Sequence, residues 1–279
     1  VTRDHAIKAI NGAVLRGDFH SISMLSIQKD VPLAPFFSFR IGGVTKYFCE
    51  VRSVVELVEV ATFLKKEGVA AGLPAELPFF ILGEGSNTLA SDAGFTGLVI
   101  KVSLRGLKLK DLDYQKKEIE VGAGEHWDDL VRFAVGEGLF GLENLSGIPG
   151  SVGAAPVQNI GAYGAEVKDT ISFVEVFDLQ AGQARLLRPA DCAFAYRDSV
   201  FKRPAAKSLI ITKVGFILEK AGQVNIGYKD LKERFKERYS KDVSVAEVPE
   251  AVSTIGASKV PRISKVGRAG SLFQCSPFY

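Results

Sequence analysis

Apolar positions along this chain recur with two different periods, and the changes between them outline its elements. Over 45–51, "TKYFCEV" alternates as a half-buried strand does. The short apolar run "PFFIL" (78–82) reads as a strand covered on both faces. "GLVIKV" (97–102), "EIEVGAG" (118–124), "ISFVEVFDL" (171–179) and "SLIITKVGFIL" (208–218) read as further strands, and "QAGQ" after Leu179 signals a hairpin. The period lengthens to that of a helix over 53–68. There Leu57, Val60 and Leu64 share a face, Ser53 and Glu56 form a capping box, and Gly68 closes the pattern. "HWDDLVRFAVGEG" (126–138) predicts a second helix, ending near Gly136 or Gly138. Residues 4–17 predict a peripheral helix, and two more are expected near 229–239 and 247–258. "VPLAPFFSFRIGG" (31–43), with two prolines and a terminal Gly-Gly, reads as an extended arm.

Strands follow one another here with few crossover helices. That order predicts an α+β fold rather than a doubly wound sheet. Beyond Gly222 the pattern turns helical, so a boundary is expected near residue 220. The organisation read from this is an N-terminal helix and arm (1–35), a main domain (36–220) and the start of a second, incomplete domain (221–279).

Composition narrows the function classes. With 47% hydrophobic and 24% charged residues among 279, the chain has ample core for a globular protein. A net charge of +3 is too mild for a nucleic-acid footprint, but it suits an anionic small ligand. No apolar run approaches a membrane span, and no signal peptide is visible at Val1. Cys49, Cys192 and Cys275 are odd in number and far apart. They predict neither a disulfide framework nor a metal site, and point to the cytoplasm. His5, His20 and His126 are scattered and read as structural or surface residues. A monomer is expected.

Two glycine-rich stretches carry the chemistry. "GIPGSVGAAPVQNIGAYG" (147–164) holds five glycines and three alanines in eighteen residues. It is either an irregular loop or a backbone left bare so that its N–H groups can approach a ligand. "GEGSN" (83–87) follows a buried strand directly and is either a strand-ending turn or a phosphate cradle with Ser86 and Asn87 as extra donors. It lacks the third glycine of the dinucleotide fingerprint, with Thr88 in its place, and it lacks the Lys of a Walker loop. Two such runs suit the two sides of one long dinucleotide. Gln158 and Asn159 offer amide groups to a heterocycle edge, and Ile148, Val152 and Ala154 offer apolar contact to its face.

"FRIGG", "ILGEGSN", "IPGSVGAAPVQNIGAYG", "YRDSVFK" and "AGSLF", in this order, resemble the UDP-N-acetylenolpyruvoylglucosamine reductase family of FAD-dependent, NADPH-using enzymes of peptidoglycan precursor synthesis. The resemblance runs from about Phe36 to Phe273. It implies a two-lobed α+β flavin-binding domain of the vanillyl-alcohol-oxidase type, followed by a substrate domain. It places the FAD pyrophosphate on Gly83, Gly85, Ser86 and Asn87 and on Ile148, Pro149, Gly150 and Ser151. Gly122, Gly124, Gly153 and Ala154 are expected to line the cofactor, with the isoalloxazine edge near Gln158, Asn159, Gly161 and Tyr163.

The same resemblance assigns an active-site arginine to Arg197. The chemistry calls for one, because hydride addition to the enolpyruvyl double bond builds negative charge on the adjacent carboxylate. It assigns Ser271 as the proton donor to the carbon beside that carboxylate, Lys259 to the substrate phosphates, Tyr228 to a lid over the substrate, and Tyr196 to substrate contact. The partner implied is a UDP-sugar with an enolpyruvyl ether. Three features depart from the family pattern. Gly256 stands where an arginine is often found, Gln274-Cys275-Ser276-Pro277 replaces a Lys/Arg-Asn-Pro run, and no glutamate follows Ser271. The expectation is a chain that binds FAD but turns over poorly. Two rivals remain: another flavin oxidase of the same fold, and a non-catalytic relative that binds the nucleotide only.

Overall fold

The β-branched and aromatic runs resolve into two sheets in the computed structural model, which describes residues 8, 11–12, 25–70, 77–236 and 238–259. The first sheet has the order β1-β2-β4-β3. β1 (Ile27–Pro32) runs antiparallel to β2 (Val44–Val51), while β2 and β3 (Phe79–Leu82) both run parallel to β4 (Phe95–Val102). Parallel neighbours need a crossover, and α1 (Val54–Ala70) supplies it between β2 and β3. Its buried stripe of Leu57, Val60, Ala61 and Leu64 lies on the face read from the sequence. At its start Glu56 N donates to Ser53 Oγ at 3.2 Å, and the Glu56 carboxylate accepts from Arg52 N.

The second sheet is wholly antiparallel, in the order β10-β9-β11-β6-β5. It comprises β5 (Leu107–Asp111), β6 (Lys116–Gly122), β9 (Ile171–Asp178), β10 (Gln183–Leu187) and β11 (Leu209–Glu219). α2 (Trp127–Gly136) follows β6, and a two-residue ribbon, β7 (Gly161–Ala162) with β8 (Ala165–Glu166), precedes β9. Most of α2 is explained by burial of Trp127, Leu130, Val131 and Ala134 on one face. The Trp127 indole N–H reaches Leu145 O at 2.8 Å, so the only tryptophan is buried with its donor satisfied.

One hydrophobic cluster spans both sheets. It joins Tyr47, Ile100 and Val102 of the first to Ile119, Val176 and Phe216 of the second. A separate cluster forms beyond β11 from Val224, Leu231, Phe235, Val248 and Val252. It draws on α3 (Lys229–Arg234) and α4 (Glu247–Lys259), and Val135, Phe140 and Tyr163 pack against it. No described helix is long and apolar enough to cross a membrane.

Four elements differ from the expectation, β3 among them: it lies at a sheet edge with Phe80 exposed and only Leu82 buried, and is not covered on both faces. The arm over 31–43 contains the end of β1 and a 3₁₀ turn at Ala34–Phe36. β5 was not foreseen: "LKLKD" alternates as a strand does, but it is only five residues long and mostly exposed at the sheet edge. The helix expected over 229–239 stops at Arg234. Of the helix expected over 4–17, Lys8, Asn11 and Gly12 are helical and the rest lies outside the described residues. Asn11 nevertheless docks on the edge of the second sheet. Its amide donates to Ala184 O (3.2 Å) and its carbonyl accepts from Ala184 N (2.8 Å), as a neighbouring strand would.

Candidate active site

The two glycine-rich stretches face each other. Ser86 Oγ donates to Pro149 O at 3.1 Å, and Asn87 Nδ2 donates to Gln158 Oε1 at 3.0 Å. A Cβ on Gly83 would lie 2.8 Å from Ser151 Oγ, and one on Gly153 would lie 2.6 Å from the Ala123 Cβ. Gly85 needs its freedom twice over, with φ +65° and only 2.0 Å between a built Cβ and Phe36 O. The backbone N–H groups of Gly85, Ser86, Asn87, Gly150 and Ser151 find no backbone or side-chain acceptor among the described residues. Beside these turns opens a cavity of about 1020 Å³, lined by Phe79 and Ile81 of β3, Leu209 and Ile211 of β11, and Gly83 and Ala154.

The stretch 195–199 is stapled onto the far end of the same run. Ser199 Oγ donates to Val157 O (2.6 Å), and Asn159 Nδ2 donates to Ala195 O (3.0 Å) and Glu166 Oε2 (3.1 Å). Asn159 Oδ1 accepts from Lys168 N at 3.1 Å. The Arg197 guanidinium donates to Asn159 O at 3.4 Å and to Gly161 O, with Cζ 5.0 Å from the Tyr196 ring centre. Asn159, Tyr163 and Arg197 all hold positive φ, at 43°, 48° and 52°. Three non-glycine residues in this conformation at one place store backbone strain that the surrounding hydrogen bonds must maintain.

A third wall comes from beyond β11. Tyr228 meets Tyr163 edge-on at 5.5 Å, and Asn144 Nδ2 donates to both Tyr163 O (2.9 Å) and Asn225 O (2.7 Å). Asn225 Nδ2 in turn donates to Gly164 O at 3.1 Å. Lys259 is the last residue of α4, and Ser271 lies outside the described residues.

A family model described as an FAD binding domain matches residues 45–187, over half the chain. A UDP-N-acetylenolpyruvoylglucosamine reductase from Pseudomonas fluorescens is 38% identical over 250 residues, which is 90% of this chain and 71% of that protein. One from Chromobacterium violaceum is 39% identical over 251 residues, with the same two coverages. Among solved structures, UDP-N-acetylenolpyruvylglucosamine reductase from Thermus caldophilus superposes with a TM-score of 0.62 at 26% identity, covering 86% of this chain and 72% of that one. The chain belongs to the UDP-N-acetylenolpyruvoylglucosamine reductase family. Like its relatives, this reductase-family chain uses FAD, and its two lobes are the α+β flavin-binding fold.

The residues present fit that cofactor. Five N–H donors without acceptors, on two turns kept bare by glycine, suit a diphosphate, and the adjoining apolar cavity is of a volume that takes a large ligand. Three of the expected lining residues have other work. Asn159 is fully buried and its side-chain amide is spent on Ala195, Glu166 and Lys168, so it shapes the run rather than meeting a heterocycle edge. Gly122 and Gly124 are bare because the chain at Ser103 to Arg105 passes within 2.5 Å of a built Cβ. Gln158 keeps its NH₂ group clear of the bond its oxygen makes to Asn87.

Sequence reasoning missed two groups in this reductase site. His126, read as structural or surface, contacts Glu84 in the first turn. Burial pushes the Glu84 carboxyl above its ordinary range, against the pull of His126 and Arg105. Asn144 is the other: it is 2% exposed and its Oδ1 has no partner among the described residues. The signal for the first pair was slight, since only the odd carboxylate between Gly83 and Gly85 marks it in the sequence.

Proposed function

We propose that this chain catalyses the FAD-dependent reduction of UDP-N-acetylglucosamine enolpyruvate to UDP-N-acetylmuramate with NADPH, in the synthesis of peptidoglycan precursors. The single observation that carries the reading is the meeting of three segments: the turn at Gly83–Asn87, the run at Ile148–Gly161, and Arg197 stapled to that run. The chemistry supplied by bound FAD is hydride transfer, from NADPH to the terminal carbon of the enolpyruvyl group.

The protein's part is binding, orientation and charge. N–H groups of Gly85, Ser86, Asn87, Gly150 and Ser151 hold the cofactor diphosphate. The planar fork of Arg197 steadies the substrate carboxylate as charge builds on it. Its bonds to two backbone carbonyls fix the plane of that fork before substrate arrives, so little reorganisation is left for the reacting complex. Ser271 gives the proton to the carbon beside the carboxylate, a role supported by the motif "AGSLF". Tyr196 and Tyr228 flank the substrate, and Lys259 pairs with its phosphates. Residues 221–279 open the substrate-binding domain, a reading supported by the separate hydrophobic cluster that starts at Val224. Nucleotide-activated sugars and NADPH belong to the cytoplasm, where we expect the chain to act as a monomer without a nucleic-acid partner.

The test is a pair of half-reactions. The purified chain should be yellow, NADPH should bleach its flavin without oxygen, and the enolpyruvyl sugar nucleotide should restore the colour. Flavin that NADPH leaves oxidised would support a non-catalytic relative. Reoxidation by O₂ during turnover of an alcohol, with no response to the sugar nucleotide, would support an oxidase.

A further inference from the structure

The arginine of this site stands where a turn usually keeps a glycine. Ala195 N donates to Asp198 O at 3.0 Å and Asp198 N donates to Ala195 O at 3.2 Å, so Tyr196 and Arg197 are the two central residues of a tight turn. Of those two only Arg197 has positive φ, at 52°. A turn with that conformation at its third residue favours glycine, because a Cβ there crowds the backbone. This chain puts a guanidinium at that place instead, and its surroundings must hold the backbone to it.

The peptide unit after Arg197 is gripped at both ends. Its N–H is the Asp198 donor to Ala195 O. Its carbonyl, Arg197 O, accepts from Lys202 Nζ at 2.6 Å. These two groups point opposite ways across a planar trans unit. Together the two bonds fix its plane, and with it the direction in which the Arg197 side chain leaves the backbone. The turn that carries Lys202 is itself anchored. Val200–Lys202 is a 3₁₀ turn capped by Ser199, whose Oγ accepts from Phe201 N at 3.3 Å and donates to Val157 O at 2.6 Å in the glycine-rich run. Arg203, the next residue, is committed elsewhere, its guanidinium forked onto the Asp198 carboxylate. Lys202 is left to reach Arg197 O, from a base fixed to the same run that the Arg197 guanidinium bonds at Asn159 O and Gly161 O.

We propose that Lys202 is a positioning residue for Arg197: its ammonium, held on the Arg197 carbonyl, keeps the left-handed turn in place so that the guanidinium is aimed before the substrate carboxylate arrives. This rests on the reading of Arg197 as the group that meets that carboxylate. In this role Lys202 touches neither substrate nor cofactor, and its effect passes through the backbone of one residue. Loss of the ammonium lets the turn relax towards conformations that an arginine prefers, and the fork then meets the developing charge out of line.

Two measurements on the full chain test it. The first needs no turnover: amide hydrogen exchange at Asp198, whose N–H closes the turn, should be about tenfold faster in Lys202→Met, while amides of β9 and β11 exchange as before. Lys202→Arg, which keeps a donor, should restore the slow exchange. The second is a double-mutant cycle with FAD bound, read by stopped-flow reoxidation of the NADPH-reduced flavin by the enolpyruvyl sugar nucleotide. Lys202→Met should retain FAD and take hydride from NADPH at the unaltered rate. Its limiting rate of reoxidation should fall about tenfold, with little change in the substrate concentration that half-saturates it. In an Arg197→Lys background the same change should slow reoxidation by less than about twofold, because the fork it aims is already gone. Unaltered exchange at Asp198, or equal losses in the two backgrounds, would overturn the proposal. A raised half-saturation at an unchanged limiting rate would overturn it too, by making Lys202 a direct substrate contact, as would a Lys202→Met chain that loses FAD or reacts more slowly with NADPH. An Arg197→Lys chain that reoxidises normally, or an unaltered chain that the sugar nucleotide does not reoxidise, would instead overturn the reading of Arg197 beneath it.

Discussion

At the scale of single residues, the site depends on side chains whose work is to hold backbone in unfavourable conformations. Arg197 shows the double duty. Its guanidinium bonds two carbonyls of the glycine-rich run while its own backbone sits at φ 52°. Arg197→Lys keeps a charge but loses the fork, so kcat is expected to fall by about 10²-fold or more, with FAD still bound. Stopped-flow flavin reoxidation checks it: unchanged absorbance with normal reoxidation would remove Arg197 from the chemistry. Motif order picked out segments that the structure brings together, but not how their side chains divide the work. Asn159 looked like a ligand donor because its type and neighbours fit, and only the distances to Ala195, Glu166 and Lys168 reveal it as a strut. Glu84 and His126 stand 42 positions apart by their numbering, and nothing local announces that they meet.

At the scale of elements, strands rich in apolar residues were legible, β3 among them although it lies at a sheet edge, and the polar edge strands were not. β9 and β11 carry long apolar stretches because neighbours cover them. β1 and β5 lie at sheet edges; β1 mixes charges without a period, and β5 alternates over only five mostly exposed residues. The turn between β9 and β10 was legible because Gly182 at φ +65° is what a tight hairpin asks for. The bare run at 147–164 belongs with these legible features, since Gly153 and Gly161 answer to close neighbours and Gly147, Gly150 and Gly164 to positive φ. Gly153 is the sharpest case, with the Ala123 Cβ at 2.6 Å and its carbonyl at 3.1 Å from a built Cβ. Gly153→Val must push the 3₁₀ turn at Val152–Ala154 away from Ala123. A loss of about 1–3 kcal/mol in denaturant unfolding is expected, together with weaker FAD retention. A variant that unfolds at the same urea concentration and holds FAD as tightly would show that the clearance is not needed.

At the scale of the whole molecule, two hydrophobic clusters give two reporters. Trp127 lies in the large one, 1% exposed and edge-on to Phe216, so its emission follows the core that joins both sheets. The small cluster draws on α4, whose first residue, Glu247, Arg238 bonds through both nitrogens of its fork. That bond, helped by Ser244 N, holds the Glu247 carboxyl down at about 2. A depressed carboxyl adds stability above its unfolded value of about 4.3, and that stability is lost as pH falls towards 2. Glu247→Gln should therefore flatten the dependence of the urea midpoint on pH between about 4.3 and 2. The change should be small and shrink in salt, because the pair is exposed to solvent. An unaltered slope would mean that Glu247 carries none of it.

The asparagine bracket joins the run before β9 to the segment after β11. Asn144 grips the carbonyls of Tyr163 and Asn225 at once, and Asn225 reaches back to Gly164. A door hung on the last strand of the second sheet would thus be bolted to the turn at Tyr163 and Gly164 by its first few residues. Any swing of the helices beyond Tyr228 must pivot downstream of that bolt or draw it. Drawing it would tug on a turn whose backbone already sits at φ 48°, so what arrives at the far side of the helices would be felt at Tyr163 and Gly164.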